Sequence, residues 1–146
     1  MAGYWNKPQD TAAVMTADGF FKSGDIGFMD EGGYVKIIDR KKDMIVISGF
    51  KVFPNELEEV IARLPGVLEC AVIGVPDENW GEAVKAVVVL KPGTTATEQE
   101  IIATAAKHLA SYQKPRSVDF VDSLPKAPTG KILKREIRDL VLDGKF

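Results

Sequence analysis

The 146-residue chain contains very little cysteine or histidine, with one residue of each. Because Cys70 is the single cysteine, an internal disulfide is excluded and a reducing compartment is favoured. Residues 71–73 beside it are apolar, so we expect a small buried side chain. His108 lies in a predicted helix without a cysteine or carboxylate set around it. The sequence therefore gives no support for a metal site or a Ser-His-Asp triad.

Strong charge of one sign and long apolar runs are also missing. The formal net charge is −2, which offers no electrostatic basis for binding nucleic acid or an anionic membrane. No apolar run approaches the roughly 20 residues that span a bilayer, and the first residues lack the apolar core of a secretory signal. These absences favour a cytoplasmic protein without a nucleic-acid partner.

The most informative stretch is residues 39–59, with the sequence DRKKDMIVISGFKVFPNELEE. Five charged residues come first, and the apolar run 44–47 that follows predicts a buried strand. Residues 48–50 then turn the chain. Pro54 suits the first position of a helix, and residues 57, 60, 61 and 64 form an apolar stripe along it. From the residues alone, the charged part is either a pivot or an ordinary polar loop.

The remaining patterns predict an α+β fold. A glycine-containing turn at residues 30–33 between two strand-like segments predicts a β-hairpin. Further strands are expected at 68–75, 84–90 and 117–121, with helices at 97–110 and 133–142. Thr97 and Glu100 have the spacing of a capping box. From residue 43 onward, the order of these elements predicts helices packed on one side of a small mixed sheet.

Two short motifs contain residues suited to chemistry. In SGDIG at residues 23–27, flanking glycines let the backbone approach a ligand, and the Asp25 carboxylate suits a ribose diol or a plain turn. In PKAPTGKIL at residues 125–133, two prolines and Gly130 shape a loop that projects Lys131. Pro125 and Ile132 are incompatible with a Walker A phosphate loop. On composition alone, Lys131 would be a solvated surface lysine.

Together, these three motifs resemble those of the adenylate-forming enzymes, which include acyl-CoA synthetases, luciferases and peptide-synthetase adenylation domains. The stretch 39–59 is most similar to long-chain fatty-acid–CoA ligases. The resemblance implies that residues 1–38 are the C-terminal remnant of a large adenylating domain, 39–43 a hinge, and 44–146 a mobile C-terminal domain. It also implies a small mixed three-stranded sheet with helices packed around it, preceded by a β-hairpin from the end of the large domain.

The resemblance assigns nucleotide and catalytic roles to individual residues. Asp25 and Arg40 are implied to bind the nucleotide, with Asp25 at the ribose. A guanidinium makes forked bonds to oxygens that a lysine cannot make. Lys131 is implied to reach the substrate carboxylate and the ATP phosphate during adenylation, where a positioned cation stabilises developing negative charge.

Three residues near the charged pivot also receive roles from the resemblance. Lys42 occupies the implied hinge position, where a few loop residues that absorb a large φ/ψ change are sufficient. Gly49 is implied to leave a channel for the pantetheine arm of CoA. Lys51 either contacts CoA phosphates or is a surface lysine.

The implied activity is that of an ATP-dependent, AMP-forming fatty-acid–CoA ligase. ATP and a carboxylate give acyl-adenylate and pyrophosphate, and CoA then displaces AMP. ATP, CoA and Mg²⁺ are the implied cofactors, with the Mg²⁺ ligands and the acyl pocket expected in the large N-terminal domain, the implied partner. The fragment alone is expected to be inactive. An aryl-CoA ligase, an adenylation domain serving a carrier protein and a non-catalytic binding module are the alternatives; acyl specificity, peripheral membrane association and homodimerisation stay open.

Overall fold

A β-hairpin forms where the sequence predicts one. In the computed structural model, which describes residues 1–146, helix α1 (Pro8–Val14) precedes strands β1 (Asp25–Met29) and β2 (Val35–Arg40). The Asp30 carboxylate closes the turn by accepting hydrogen bonds from the N–H groups of Gly32 and Tyr34, both at 2.9 Å. These elements lie in the first of two compact units, Met1–Lys42, and the second unit is Asp43–Phe146.

The second unit is built on a mixed sheet. Its strands are β3 (Ile45–Ile47), β4 (Phe50–Val52), β5 (Val67–Asp77), β6 (Gly81–Leu90) and β7 (Ser117–Phe120). Strand β6 pairs antiparallel with β5 along its whole length and parallel with β7, so the predicted three-stranded mixed core is confirmed. The short β3–β4 hairpin extends this core to five strands through one pair, Ile47 with Gly81. Strand β4 is absent from the sequence interpretation because three residues after a tight turn give too short a pattern.

Helices cover both faces of this sheet, so the expectation from element order that they lie on one side is wrong. Helices α2 (Pro54–Ala62) and α3 (Glu98–His108) contribute Leu57, Ile61 and Ile101 to one buried cluster. Helix α4 (Lys134–Leu142) places Ile137 in a second cluster. Successive side chains of a strand point to opposite faces, and β5 is apolar on both, with Val72 in the first cluster and Ile73 in the second.

Local capping signals fix where the helices begin. Pro54 occupies the first turn of α2 and is buried. The capping box of α3 is confirmed, because Thr97 Oγ1 accepts from the Glu100 N–H while the Glu100 carboxylate accepts from the Thr97 N–H. None of the helices combines the length and the apolar character needed to cross a membrane.

Candidate functional site

Lys131 lies at the end of a tight hairpin, where the sequence predicts only a loop. The Gly130 N–H donates to the Ala127 carbonyl at 2.8 Å, and Gly130 has a φ of +82° that favours glycine. The Ala127 N–H in turn donates to the Lys131 carbonyl at 2.8 Å. Lys126 and Ile132 form an isolated antiparallel β-bridge. The Lys131 side chain is exposed, so the hydrogen-bonded turn holds a long cationic side chain in the solvent.

Contacts with the sheet and with α2 hold this Lys131 hairpin. Leu124 is buried in the second cluster, and Ile132 packs against the same cluster. Just after the hairpin, Lys134 Nζ lies 2.9 Å from Glu58 Oε1 of α2. Lys126 forms an ion pair with Glu69 of β5. Contacts with the second cluster, with β5 and with α2 therefore fix the position of the Lys131 hairpin.

Gly49 lies in the two-residue turn between β3 and β4. Ser48 and Gly49 both have positive φ, +45° and +89°, as a hairpin of this type requires. A Cβ added to Gly49 would meet nothing within 4 Å, so the space beside the turn is open. Ile47 and Val52 anchor the hairpin in the first cluster, whereas the Lys131 hairpin packs against the second.

A groove of about 550 Å³ lies beside the Gly49 turn, and no sequence motif predicts it. The rings of Phe50 and Tyr112 stack at 4.9 Å, and the Arg116 guanidinium lies 5.0 Å from the centroid of the Trp80 ring. Trp80, Tyr112, Arg116 and Lys114 line the groove. Trp80 is 42% exposed, so its ring is accessible from the groove. Aromatic faces with two cations suit a flat, anionic ligand.

The nucleotide-binding candidates Asp25 and Arg40 come together within the first unit. They are cross-strand partners at the open end of the β1–β2 hairpin, and Arg40 Nε lies 3.3 Å from Asp25 Oδ1. The Lys41 N–H donates to the Gly24 carbonyl at 2.8 Å and continues the pairing by one residue. Residues 15 positions apart in sequence thus form one polar pair.

Lys42 and Lys51 occupy different kinds of position. Lys42 is the last residue of the first unit and belongs to the turn after β2. Lys51 is exposed on β4, opposite Val46 of β3 and close to the Gly49 turn. No group of three or more histidine, cysteine, aspartate or glutamate side chains is arranged to hold a metal ion.

The fold and its exposed residues define a small α+β module with two hairpins anchored in different clusters: the β3–β4 hairpin at the edge of the sheet in the first, and the Lys131 hairpin in the second. A family model described as the AMP-binding enzyme C-terminal domain matches residues 56–131, and the chain belongs to this family. The recognition of the adenylate-forming superfamily from three sequence motifs is thereby confirmed.

Individual relatives agree with this assignment. The chain is 52% identical over 139 residues to a long-chain-fatty-acid–CoA ligase of Yersinia pestis, covering 95% of this chain and 24% of that protein. It is 50% identical over 139 residues to a CoA ligase of Rhodococcus jostii named for a methyl-dioxo-octahydro-indenyl propanoyl group, covering 95% of this chain and 27% of the relative. The chain thus spans about a quarter of the length of these curated relatives.

A solved structure gives the same result at the level of the fold. The crystal structure of ATP-bound MatB from Rhodopseudomonas palustris superimposes with a TM-score of 0.91 at 42% identity, covering 99% of this chain and 29% of that one. The α+β fold class expected from the sequence is confirmed.

Proposed function

We propose that this chain supplies the mobile C-terminal part of an ATP-dependent, AMP-forming fatty-acid–CoA ligase. One observation carries the proposal: Gly49 and Lys131 lie on separately anchored hairpins. The β3–β4 hairpin forms an edge of the sheet and buries Ile47 and Val52 in the first cluster, whereas the Lys131 hairpin packs against the second cluster through Ile132. A rigid module cannot bring both hairpins to one reaction centre at once. It can serve two successive steps if it rotates between them.

In the proposed adenylation step, a carboxylate oxygen of the fatty acid attacks the α-phosphorus of ATP, and pyrophosphate leaves. Negative charge builds on the phosphoryl oxygens, and the exposed Lys131 ammonium stabilises it. Asp25 binds the ribose hydroxyls through its carboxylate, which the neighbouring Arg40 holds in orientation at 3.3 Å. Arg40 also offers N–H donors to the nucleotide.

In the proposed second step, the thiol of CoA loses its proton to solvent, the thiolate sulfur attacks the acyl carbonyl carbon, and AMP leaves with the electron pair of the broken acyl–oxygen bond. The open space beside Gly49 accommodates the pantetheine arm. The adjacent groove supplies the Tyr112 and Trp80 faces for a nucleotide base and the cations Lys114 and Arg116 for phosphates. Lys51 on β4 adds a further cation near this end.

The rotation requires a hinge, which we place at residues 39–43 with Lys42 as the hinge residue. Asp39 and Arg40 end strand β2 and residues 41–43 form a turn, so the change in φ/ψ falls on the turn. Residues 1–38 are proposed to complete a large N-terminal domain that is the partner of this module and provides the acyl pocket and the Mg²⁺ ligands. A cytoplasmic location completes the proposal.

A ligase for a different carboxylate is the second candidate. The Rhodococcus jostii relative is named for a ring-bearing propanoyl group and is 50% identical, close to the 52% of the long-chain ligase. An aryl-CoA ligase or a carrier-protein adenylation domain would use the same two hairpins.

Two substitutions in the longer enzyme test the proposed division of labour. Lys131→Ala should lower acyl-adenylate formation by ~10²-fold or more, because the cation at the phosphoryl group is lost. Thioester formation from supplied acyl-adenylate should persist. Gly49→Leu should do the reverse, because its side chain fills the open space beside the turn. Pyrophosphate exchange and single-turnover transfer to CoA measure the two steps separately.

Two control variants distinguish these roles from a general loss of folding or activity. Gly93→Leu imposes comparable backbone strain, since Gly93 has a φ of +74° and open space around its Cβ position. Lys107→Ala removes an exposed lysine from α3. Both controls should leave both steps intact. The proposal fails if the Lys131 and Gly49 variants slow the same step while the protein remains folded.

A further inference from the structure

The carboxylate of Glu82 connects the Gly49 hairpin to helix α4. Its Oε2 accepts a hydrogen bond from the Val46 N–H of β3 at 2.8 Å, across 36 residues of sequence. Its Oε1 accepts from Arg138 Nη2 of α4 at 2.9 Å, and this contact is also an ion pair. The Glu82 side chain is 25% exposed, so one half-buried carboxylate ties together two elements that do not adjoin in sequence.

Gly74 makes room for this carboxylate. It lies in β5, where a glycine weakens a strand, and its backbone is outside the left-handed region that would explain its presence. A Cβ at Gly74 would lie 2.7 Å from Glu82 Oε1 and 3.0 Å from Ile45 Cγ2. The missing side chain is therefore explained by the space that Glu82 and β3 occupy.

Few other polar contacts hold β3 to the rest of the sheet. The Ser48 N–H donates to the Trp80 carbonyl at 3.0 Å, and Ile47 pairs with Gly81. Both contacts lie at the turn end of the hairpin. Glu82 provides the next attachment along β3, at Val46.

We propose that Glu82 is a positioning residue for the CoA-dependent step and that Gly74 leaves the space its carboxylate occupies. This inference rests on the proposed function. Glu82 aligns the Gly49 turn and the adjoining groove by holding Val46 while Arg138 holds the carboxylate. The Lys131 hairpin has its own attachments, through Lys134 to Glu58 and through Lys126 to Glu69. Loss of Glu82 should therefore disturb the CoA-dependent step and spare adenylation.

Hydrogen exchange on the 146-residue chain tests the structural part without reference to catalysis. Glu82→Ala and Gly74→Ala should each accelerate exchange at residues 45–52 by about tenfold or more, since both withdraw the carboxylate from the Val46 N–H. Exchange at residues 126–133 should stay unchanged. Residues 45–52 should exchange more slowly in Glu82→Gln than in Glu82→Ala, because the glutamine amide oxygen still accepts a hydrogen bond from the Val46 N–H. Glu136→Ala, at an exposed carboxylate on the helix that carries Arg138, is the control and should change neither segment.

The same variants in the longer enzyme test the functional part. Glu82→Ala and Gly74→Ala should lower single-turnover transfer from acyl-adenylate to CoA by about tenfold or more, because a small misplacement of a positioning group is costly. Pyrophosphate exchange should stay within about twofold of the wild type, and Glu82→Gln should recover most of the transfer rate. Equal losses in both steps, or unchanged exchange at Val46, would overturn the inference. Absence of thioester formation in the wild type would instead contradict the proposed function, and it is seen before any variant is compared.

Discussion

At the scale of the residue, carboxylates organise the strands of the second unit. Three glutamates on neighbouring elements accept strand N–H groups that the sheet does not pair: Glu58 from Val72 at 2.7 Å, Glu82 from Val46 at 2.8 Å and Glu98 from Val118 at 2.9 Å. Val72 and Val118 are buried, and a buried N–H group left without a partner costs about 1–3 kcal/mol. These glutamates thus stabilise short and edge strands that would otherwise carry unpaired donors.

Cys70 is a residue whose surroundings change its ionisation. It is 8% exposed. Burial, and then the negative charge of Glu58, raise the pKa of the thiol well above its usual range, although Lys134 acts in the opposite direction. The folded protein therefore keeps this thiol neutral at alkaline pH, whereas the unfolded chain ionises near a pKa of about 8.5.

We expect the free energy of unfolding to fall as the pH rises from about 8 to 10, because only the unfolded state releases the Cys70 proton over this interval. The slope should approach about 1.4 kcal/mol per pH unit. Urea titrations at several pH values measure it, and Cys70→Ala should remove this component. Parallel pH dependences for the wild type and Cys70→Ala would show that the thiol makes no contribution.

At the scale of the element, three hairpins carry the residues proposed to contact the nucleotide, the reacting phosphate and the pantetheine arm, whereas the groove residues Tyr112, Lys114 and Arg116 lie between α3 and β7. The turn glycines set the direction of each: Gly33 in β1–β2, Gly49 in β3–β4 and Gly130 in the Lys131 hairpin, all with positive φ. The β1–β2 hairpin differs from the other two in its burial. Phe28, Met29 and Tyr34 are 53%, 68% and 77% exposed, which leaves an apolar surface uncovered within this chain.

We expect residues 25–40 to exchange amide hydrogens faster than residues 67–90 in the isolated chain. Asp39 is the one buried side chain of the β1–β2 hairpin, whereas β5 and β6 are buried along most of their length. Local opening is easier where little apolar surface is buried. Mass-spectrometric exchange on the wild-type chain compares the two segments directly. Equally slow exchange in both would mean that the hairpin is covered, for example by a second copy of the chain.

At the scale of the whole molecule, the chain consists of two compact units of unequal size. Met1–Lys42 carries the Asp25–Arg40 pair, and Asp43–Phe146 carries the Lys131 and Gly49 hairpins. The relatives are about four times as long as the aligned region. In the proposed function, the remaining length supplies the nucleotide and acyl pockets.

The 146-residue chain alone should therefore show no ATP–pyrophosphate exchange with fatty acids. Adenylation needs the pockets that bind both reactants, and Lys131 supplies one stabilising cation only. The exchange assay is run on the purified chain, with the longer enzyme as the positive control. Measurable exchange that is lost in Lys131→Ala would show that this chain contains a complete adenylation site.

The sequence by itself determined the features that depend on near neighbours. Three such features each depend on about four consecutive residues, and the structure agrees with each of them: Pro54 at the start of α2, the Thr97–Glu100 capping box and the Asp30 turn. The motifs around Lys131 and Gly49 likewise identify the family, because each is a continuous stretch of chain. The roles that the resemblance assigns to Asp25, Arg40, Lys42, Gly49, Lys51 and Lys131 stay predictions.

Tertiary structure decided the features that join distant parts of the chain. The burial of Ile137 against the second face of the sheet, the stacking of Phe50 on Tyr112 and the Glu82–Val46 bond depend on which elements become neighbours. Val46 and Glu82 are 36 residues apart, and no local sequence pattern predicts that their strands are neighbours. Local sequence sets the backbone of each element, whereas a contact between elements exists only after burial of apolar surface has brought them together.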